Sequence, residues 1–141
     1  MSIFNPTPSR WAPRVLSLIR IAAGLLFITF GTMKIFGWPP LPQGVTIPVM
    51  SQAWIGGVME IVGGALMALG LFTRPVAFLL SGEMAVAYFQ FHAPQSPWPQ
   101  VNMGSPAILY CWLWFYYVFA GAGEWSLDAV IARKHGERVA W

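Results

Sequence analysis

Four apolar stretches divide the chain, at roughly Val15–Phe36, Ala53–Phe72, Val76–His92 and Pro106–Ala120. A helix needs about 20 mostly apolar residues to cross a bilayer core, and each stretch approaches that length. The last two are short, so they are expected to extend at their ends or tilt less. The first two are separated by GWPPLPQGVTIPVMSQ and the last two by APQSPWPQVNMG, both proline-rich and uncharged. Prolines there stop the helices and make stiff, irregular connections. Only Thr73-Arg74-Pro75 separates the second stretch from the third, which predicts a tight turn. The pattern predicts one all-α domain over residues 1–141, an integral membrane four-helix bundle.

Composition narrows this further. The 141 residues are 57% hydrophobic and 9% charged, whereas a soluble domain carries about 25% charged residues. Too little polar surface is available to coat a water-soluble globule. The net charge of +3 comes from arginine-rich ends rather than a basic face, which argues against nucleic acid as a partner. Cys111 is the single cysteine, so no intrachain disulfide and no CxxC motif exists. His92 and His135 lie in different regions, and no metal site or intrinsic cofactor is expected.

Basic residues set an orientation. Arg10 and Arg14 precede the first stretch, Arg74 sits in the short turn, and Arg133, Lys134 and Arg138 follow the fourth. With four spans these three regions share one side, and both uncharged loops share the other. The positive-inside rule then puts both termini in the cytoplasm of a multi-pass inner-membrane protein. Trp11 and Trp125 would mark the inner interface, and Trp38, Trp54 and Trp98 the outer one. The first apolar run is too long for a signal peptide core and lacks a small-residue cleavage pattern, so it reads as a retained anchor. After the fourth stretch, Ser126 is placed to cap a further helix with Asp128 in its first turn. The tail Leu127–Trp141 reads as a short interfacial helix.

Four charged residues interrupt the apolar stretches: Arg20, Lys34, Glu60 and Glu83. A charge in hydrocarbon needs a partner or a task. At helical spacing, Arg20, Gly24, Phe27, Gly31 and Lys34 share one face, as do Gly56, Glu60, Gly63, Met67 and Gly70. Glycines let a neighbouring backbone approach, so the charges are expected to face inward. At about 1.5 Å per residue from the inner side, Arg20 lies near 10 Å, Glu83 near 13 Å and Glu60 near 18 Å. Matching depth makes Arg20 and Glu83 the expected ion pair, with Lys34 reaching inward to Glu60 or outward to the surface. Two readings stay open: a structural set of ion pairs that fixes helix register, or a polar pocket around Glu60 that binds a quinone headgroup or relays a proton. His92, at the outer end of the third stretch, and the aromatic residues Tyr88 and Trp112 are the further candidates for contact with a quinone. Ordinary boundary and packing roles compete for each.

The chain resembles the DoxX family of small four-helix membrane proteins. The resemblance is carried by Arg20, by Phe30-Gly31…Lys34, and by Glu60…Gly63-Gly64…Gly70-Leu71…Arg74. The closing Gly121…Gly123…Trp125-Ser126-Leu127-Asp128 completes it, so that it covers roughly Arg14 to Asp128. The family takes its name from a subunit of an archaeal membrane complex that oxidises thiosulfate and reduces quinone, and other members are linked to bacterial oxidoreductase assemblies. The resemblance implies a membrane subunit of a quinone-linked redox system, with oxidoreductase subunits as partners. A non-catalytic scaffold that anchors a soluble oxidoreductase through the tail is the alternative. A small-solute transporter is a third, for which four spans are few and no inverted repeat is evident. Self-association through the glycine-rich second stretch is a further expectation.

Overall fold

The computed structural model describes residues 9–136, and among these every regular element is helical. They are α1 (Ala12–Phe36), α2 (Gln52–Leu69), α3 (Thr73–Ala87), one π-helical turn (Tyr88–His92), α4 (Ser105–Ala120) and α5 (Leu127–Lys134). Arg138 and the end of the expected interfacial helix lie outside the described residues.

Local chemistry sets most boundaries. Pro13 sits in the first turn of α1, where no amide hydrogen is needed. Gly37 and Gly70 end α1 and α2 in the left-handed region, at φ 66° and 67°. Ser51 caps α2 by accepting from the Trp54 amide at 3.2 Å. One expectation is corrected. Thr73-Arg74-Pro75 is not the turn but the first turn of α3, and the connection is the shorter Gly70–Phe72. Pro75 is tolerated there because the first four amides of a helix have no intrahelical partner anyway. The third apolar stretch is also not uniform: its last five residues wind as the π-helical turn.

α1 and α2 run antiparallel in close contact. A Cβ placed on Gly24 would fall 2.7 Å from the Gly64 carbonyl oxygen, and one on Gly64 would fall 2.8 Å from that of Gly24. Seven residues on in one helix and seven back in the other, a Cβ on Gly31 would fall 2.5 Å from the Gly57 carbonyl oxygen. Seven residues are two turns, so one glycine seam holds the two backbones together. α3 packs on α4, where the Ser81 hydroxyl donates to the Cys111 carbonyl at 2.9 Å. The core is narrow and rich in large side chains, with Phe27, Met67, Leu80, Trp114 and Tyr117 almost fully buried. Phe27 meets Trp114 edge to face at 5.4 Å.

The outside is apolar. Phe78, Leu79, Leu109 and Phe119 are 60–69% exposed, an unpartnered belt suited to lipid rather than water. Among the described residues α1 and α2 are long and apolar enough to cross a membrane, and α4 is apolar but shorter.

One end of the molecule is tied by polar bonds. The buried Arg20 guanidinium donates to the Ala122 carbonyl at 2.8 Å, to Ala68 at 2.8 Å, to Trp125 at 2.6 Å, and to Met67. Met67 and Ala68 are in the last turn of α2, where carbonyls run short of intrahelical donors; Met67 also accepts from the Gly70 amide at 3.1 Å. Ser17 accepts from the Trp125 amide at 3.0 Å, and the Tyr117 hydroxyl donates to the Leu16 carbonyl at 2.7 Å. Ser126 caps α5 as expected, accepting from the Ala129 amide. Asp128 does more than favour its own helix. Its two carboxylate oxygens accept from the Phe72 and Thr73 amides at 2.8 and 2.9 Å. It therefore caps α3, whose own N-cap residue Phe72 supplies no side-chain acceptor.

Two outcomes follow. Asp128→Ala should lower stability by about 1–2 kcal/mol, the usual worth of an N-cap, with Asp128→Asn falling between the two. Arg20→Lys keeps the charge but brings its donors from a single nitrogen. Buried carbonyls left without a donor cost about 1–3 kcal/mol each, so this change should cost about 3 kcal/mol. Thermal unfolding in mild detergent checks both, and an unchanged midpoint for Arg20→Lys would refute the role given to the guanidinium fork.

Candidate functional site

Lys34 and Glu60 form a salt bridge of 2.6 Å between α1 and α2. Helix geometry explains the meeting. Each Cα–Cβ bond leans toward its own helix N-terminus. α1 and α2 are antiparallel, so Lys34, near the C-terminal end of α1, leans back along α1 and Glu60 leans toward it along α2. The same lean takes Arg20 toward the N-terminal end of α1, away from this pair and toward the Met67 and Ala68 carbonyls. The expected Arg20–Glu83 pair does not form: matching depth was not enough, because Arg20 points away from Glu83. The quartet is therefore split. Lys34, Glu60 and Glu83 gather in one place, and Arg20 belongs to the tied end.

Glu83 crosses from α3 toward α2. Its Oε1 lies 3.1 Å from where a Cβ on Gly56 would stand, one helical turn from Glu60. It is within Coulombic reach of both Glu60 and Lys34. Glu60 is 2% exposed. The second oxygen of Glu60 and that of Glu83, both Oε2, are buried without a hydrogen-bond partner.

A cavity of about 200 Å³ opens beside this cluster. Phe27, Phe30 and Lys34 of α1, Glu60 of α2, and Met84 and Ala87 of α3 form much of its wall. His92, Met103, Pro106, Ala107 and Tyr110 complete it. The lining is mostly apolar, with a few polar groups that could orient a ligand.

His92 is held in a defined state. Its Nδ1 lies 2.9 Å from the Asn102 carbonyl oxygen. A carbonyl only accepts, so Nδ1 carries the hydrogen, and in the neutral ring Nε2 is left as an acceptor. Asn102 is itself fixed: its side chain donates to the Ser96 carbonyl at 2.8 Å and accepts from the Gly104 amide at 2.8 Å. The proline-rich loop is thereby tied to the π-helical turn, and it contributes Met103 to the cavity wall.

The other expected residues fall outside this wall. Trp112 is 66% exposed and packs edge-on against Phe115 on the outer surface. In an α4 hydrophobic all round, spacing could not tell which aromatic faced inward. Tyr88 lies beside Gly104, where a Cβ would come within 2.8 Å of its ring, and meets Phe89 edge to face. Tyr110 takes the place expected for these two: it lines the cavity and packs on Phe27 with ring centroids 5.0 Å apart. Met84 and Met103 were not singled out in the sequence, and an apolar residue in an apolar stretch gives no signal of a cavity. Among the described residues no three His, Cys, Asp or Glu side chains converge as metal ligands would.

Comparison with known proteins identifies the family. The sequence pattern of the DoxX family matches residues 15–93, a segment that contains Lys34, Glu60, Glu83 and His92. An uncharacterized protein of Haemophilus influenzae is 40% identical over 129 residues, covering 89% of this chain and 96% of that protein. The inner membrane protein YphA of Escherichia coli is 40% identical over 72 residues, covering 48% of this chain and 51% of its own length. No solved structure matches. A family pattern that spans more than half the chain, together with a relative matched over nearly its whole length, shows that the protein belongs to the DoxX family of membrane proteins.

Proposed function

We propose that this is a four-span inner-membrane protein whose cavity takes a quinone or quinol headgroup, as the membrane subunit of a quinone-linked redox system. One observation carries the reading: an amphipathic cavity in a protein with an apolar exterior, bounded by Lys34, Glu60, His92 and Tyr110 amid apolar and aromatic side chains. A quinone headgroup is flat and largely apolar, with two carbonyl oxygens at opposite ends. The Lys34 ammonium donates, the Glu60 carboxylate accepts, and the His92 Nε2 accepts from a quinol hydroxyl. Phe30 and Tyr110 supply ring faces and edges for packing.

The membrane setting follows from charge. Arg10, Arg14, Arg74, Arg133 and Lys134 cluster at the tied end, where Arg14 pairs with Glu124 at 3.0 Å and Asp128 reaches α3. The cavity and the two uncharged proline-rich loops are at the other end. The positive-inside rule makes the tied end cytoplasmic and opens the cavity in the outer half of the membrane. The Escherichia coli relative, called an inner membrane protein, supports the same compartment. α5, with Leu127, Val130 and Ile131 exposed and Arg133 and Lys134 at its end, suits the inner interface.

Orientation is checked by single cysteines in a Cys111→Ser background. A membrane-impermeant maleimide on intact spheroplasts should label Gln43→Cys but reach His135→Cys only after permeabilisation. The reverse pattern would overturn the assignment. Binding is checked by titrating a short-chain benzoquinone into the protein in nanodiscs and following tryptophan fluorescence. Saturable quenching is expected, with Glu60→Gln and His92→Ala weakening affinity about tenfold, or about 1.4 kcal/mol. Quenching that never saturates would refute the quinone site, and unchanged affinity in Glu60→Gln would remove Glu60 from it.

A further inference from the structure

The buried cluster beside the cavity has a charge imbalance that no contact resolves. Two carboxylates, Glu60 and Glu83, share one ammonium, that of Lys34. Among the described residues Lys34 is the only base bonded to either carboxylate. Arg20 is held by four carbonyls at the far end of α1. The groups facing the cluster are Lys34 from α1, Glu60 from α2 and Glu83 from α3, with Tyr110 of α4 and His92 of the π-helical turn across the cavity. Ionising both carboxylates would leave one negative charge uncompensated in a place where water is scarce, and such a charge is strongly disfavoured. The orphaned oxygens indicate where compensation belongs. The Glu60 Oε2, in a residue 2% exposed, and the Glu83 Oε2 both lack a partner.

We propose that Glu60 and Glu83 together bind a single proton beside Lys34, which makes the cluster a one-proton site that meets the cavity through Lys34 and Glu60. The Lys34 ammonium holds Glu60 as a carboxylate through its Oε1. Glu83 has no cation of its own, so it carries the hydrogen. The cluster is then neutral: one ammonium, one carboxylate and one carboxylic acid. Glu60 is the acid that lines the cavity, so the proton reaches a ligand through it: the Glu83 O–H bond breaks as one forms on Glu60, and that bond breaks as one forms on a basic atom of the ligand. That transfer leaves the cluster one negative charge, which a proton from the outer side refills. This site exists whether or not a quinone is the occupant of the cavity, and it needs no oxidant or reductant.

Infrared spectroscopy of the ligand-free protein in ester-free detergent tests the proposal. A protonated carboxyl C=O stretch should be present at neutral pH in the wild type and shift on ¹³C-glutamate labelling. Glu83→Gln leaves a balanced Lys34–Glu60 pair, so the band should vanish. Lys34→Met leaves two carboxyls and no base, so the band should about double in intensity. The wild type and Glu83→Gln suffice if Lys34→Met does not fold. Absence of the band in the wild type would overturn the proposal, as would its survival at full intensity in folded Glu83→Gln. A band that appears only when sodium is withdrawn would replace the proton with a metal cation. No quinone is present in this experiment, so its failure is independent of the binding titration.

Discussion

The structure depends on one buried guanidinium. A helix that ends away from water leaves its last carbonyls without donors, and each such group is costly. Arg20 answers this for the end of α2 by donating to Met67 and Ala68, and it continues to Ala122 and Trp125 of the segment after α4. Charge-assisted hydrogen bonds contribute about 1.5–3 kcal/mol each. No lysine could reach four carbonyls arranged on two sides, because its donors radiate from one atom whereas the guanidinium fork is planar and wide. The arginine therefore joins α1, α2 and the chain entering α5. Asp128 then returns from that chain to cap α3. Two charged residues thus unite four helices at one end without making a salt bridge to each other.

This use of Arg20 has a consequence at the other end. Four charges that balance on paper do not balance in space. Because Arg20 satisfies carbonyls, it does not neutralise a glutamate, and Lys34 faces two carboxylates alone. The bonds at one end and the charge balance at the other are linked by this division of labour. Two matched pairs would satisfy all four charges, whereas an acid without a cation of its own is costly in a low dielectric, and such groups inside membranes commonly accompany functional sites.

Much of this was readable from residue order, and the parts that were not share a cause. Although the glycines of the second stretch gave no boundary, since Gly70 ends α2 but Gly63 and Gly64 lie within it, the helices were legible because apolar runs and the proline-rich segments between them act locally. Ser126 was legible as a cap for the same reason. The turn between α2 and α3 was misplaced because Pro75 reads equally as a breaker or as a first-turn residue. The Asp128 bond to Phe72 and Thr73 spans more than fifty residues, and nothing near Asp128 announces it. The Arg20–Glu83 pairing failed because depth is one coordinate of three. Trp112 and Tyr110 are two residues apart on a helix with no polar face, so burial depends on which side α1 and α3 occupy.

The glycines explain why the charges could gather at all. They lie on the same faces as the charged residues, and the contacts show what they leave room for. A Cβ on Gly57 would stand 2.9 Å from the Cβ of Lys34, so a side chain there would push the lysine stem off α2. A Cβ on Gly56 would crowd the Glu83 carboxylate at 3.1 Å. Adjacent glycines thus clear space on two sides of α2, one for the cation arriving from α1 and one for the acid arriving from α3. Glu60, one turn further along, bonds the cation and lies within Coulombic reach of the acid. In a soluble protein such gaps would fill with water and the charges would be screened. Beneath an apolar belt they hold the charges close in a low dielectric, where their interaction is strong. The glycine pattern that makes the helices pack is therefore also what sets the electrostatics of the cavity.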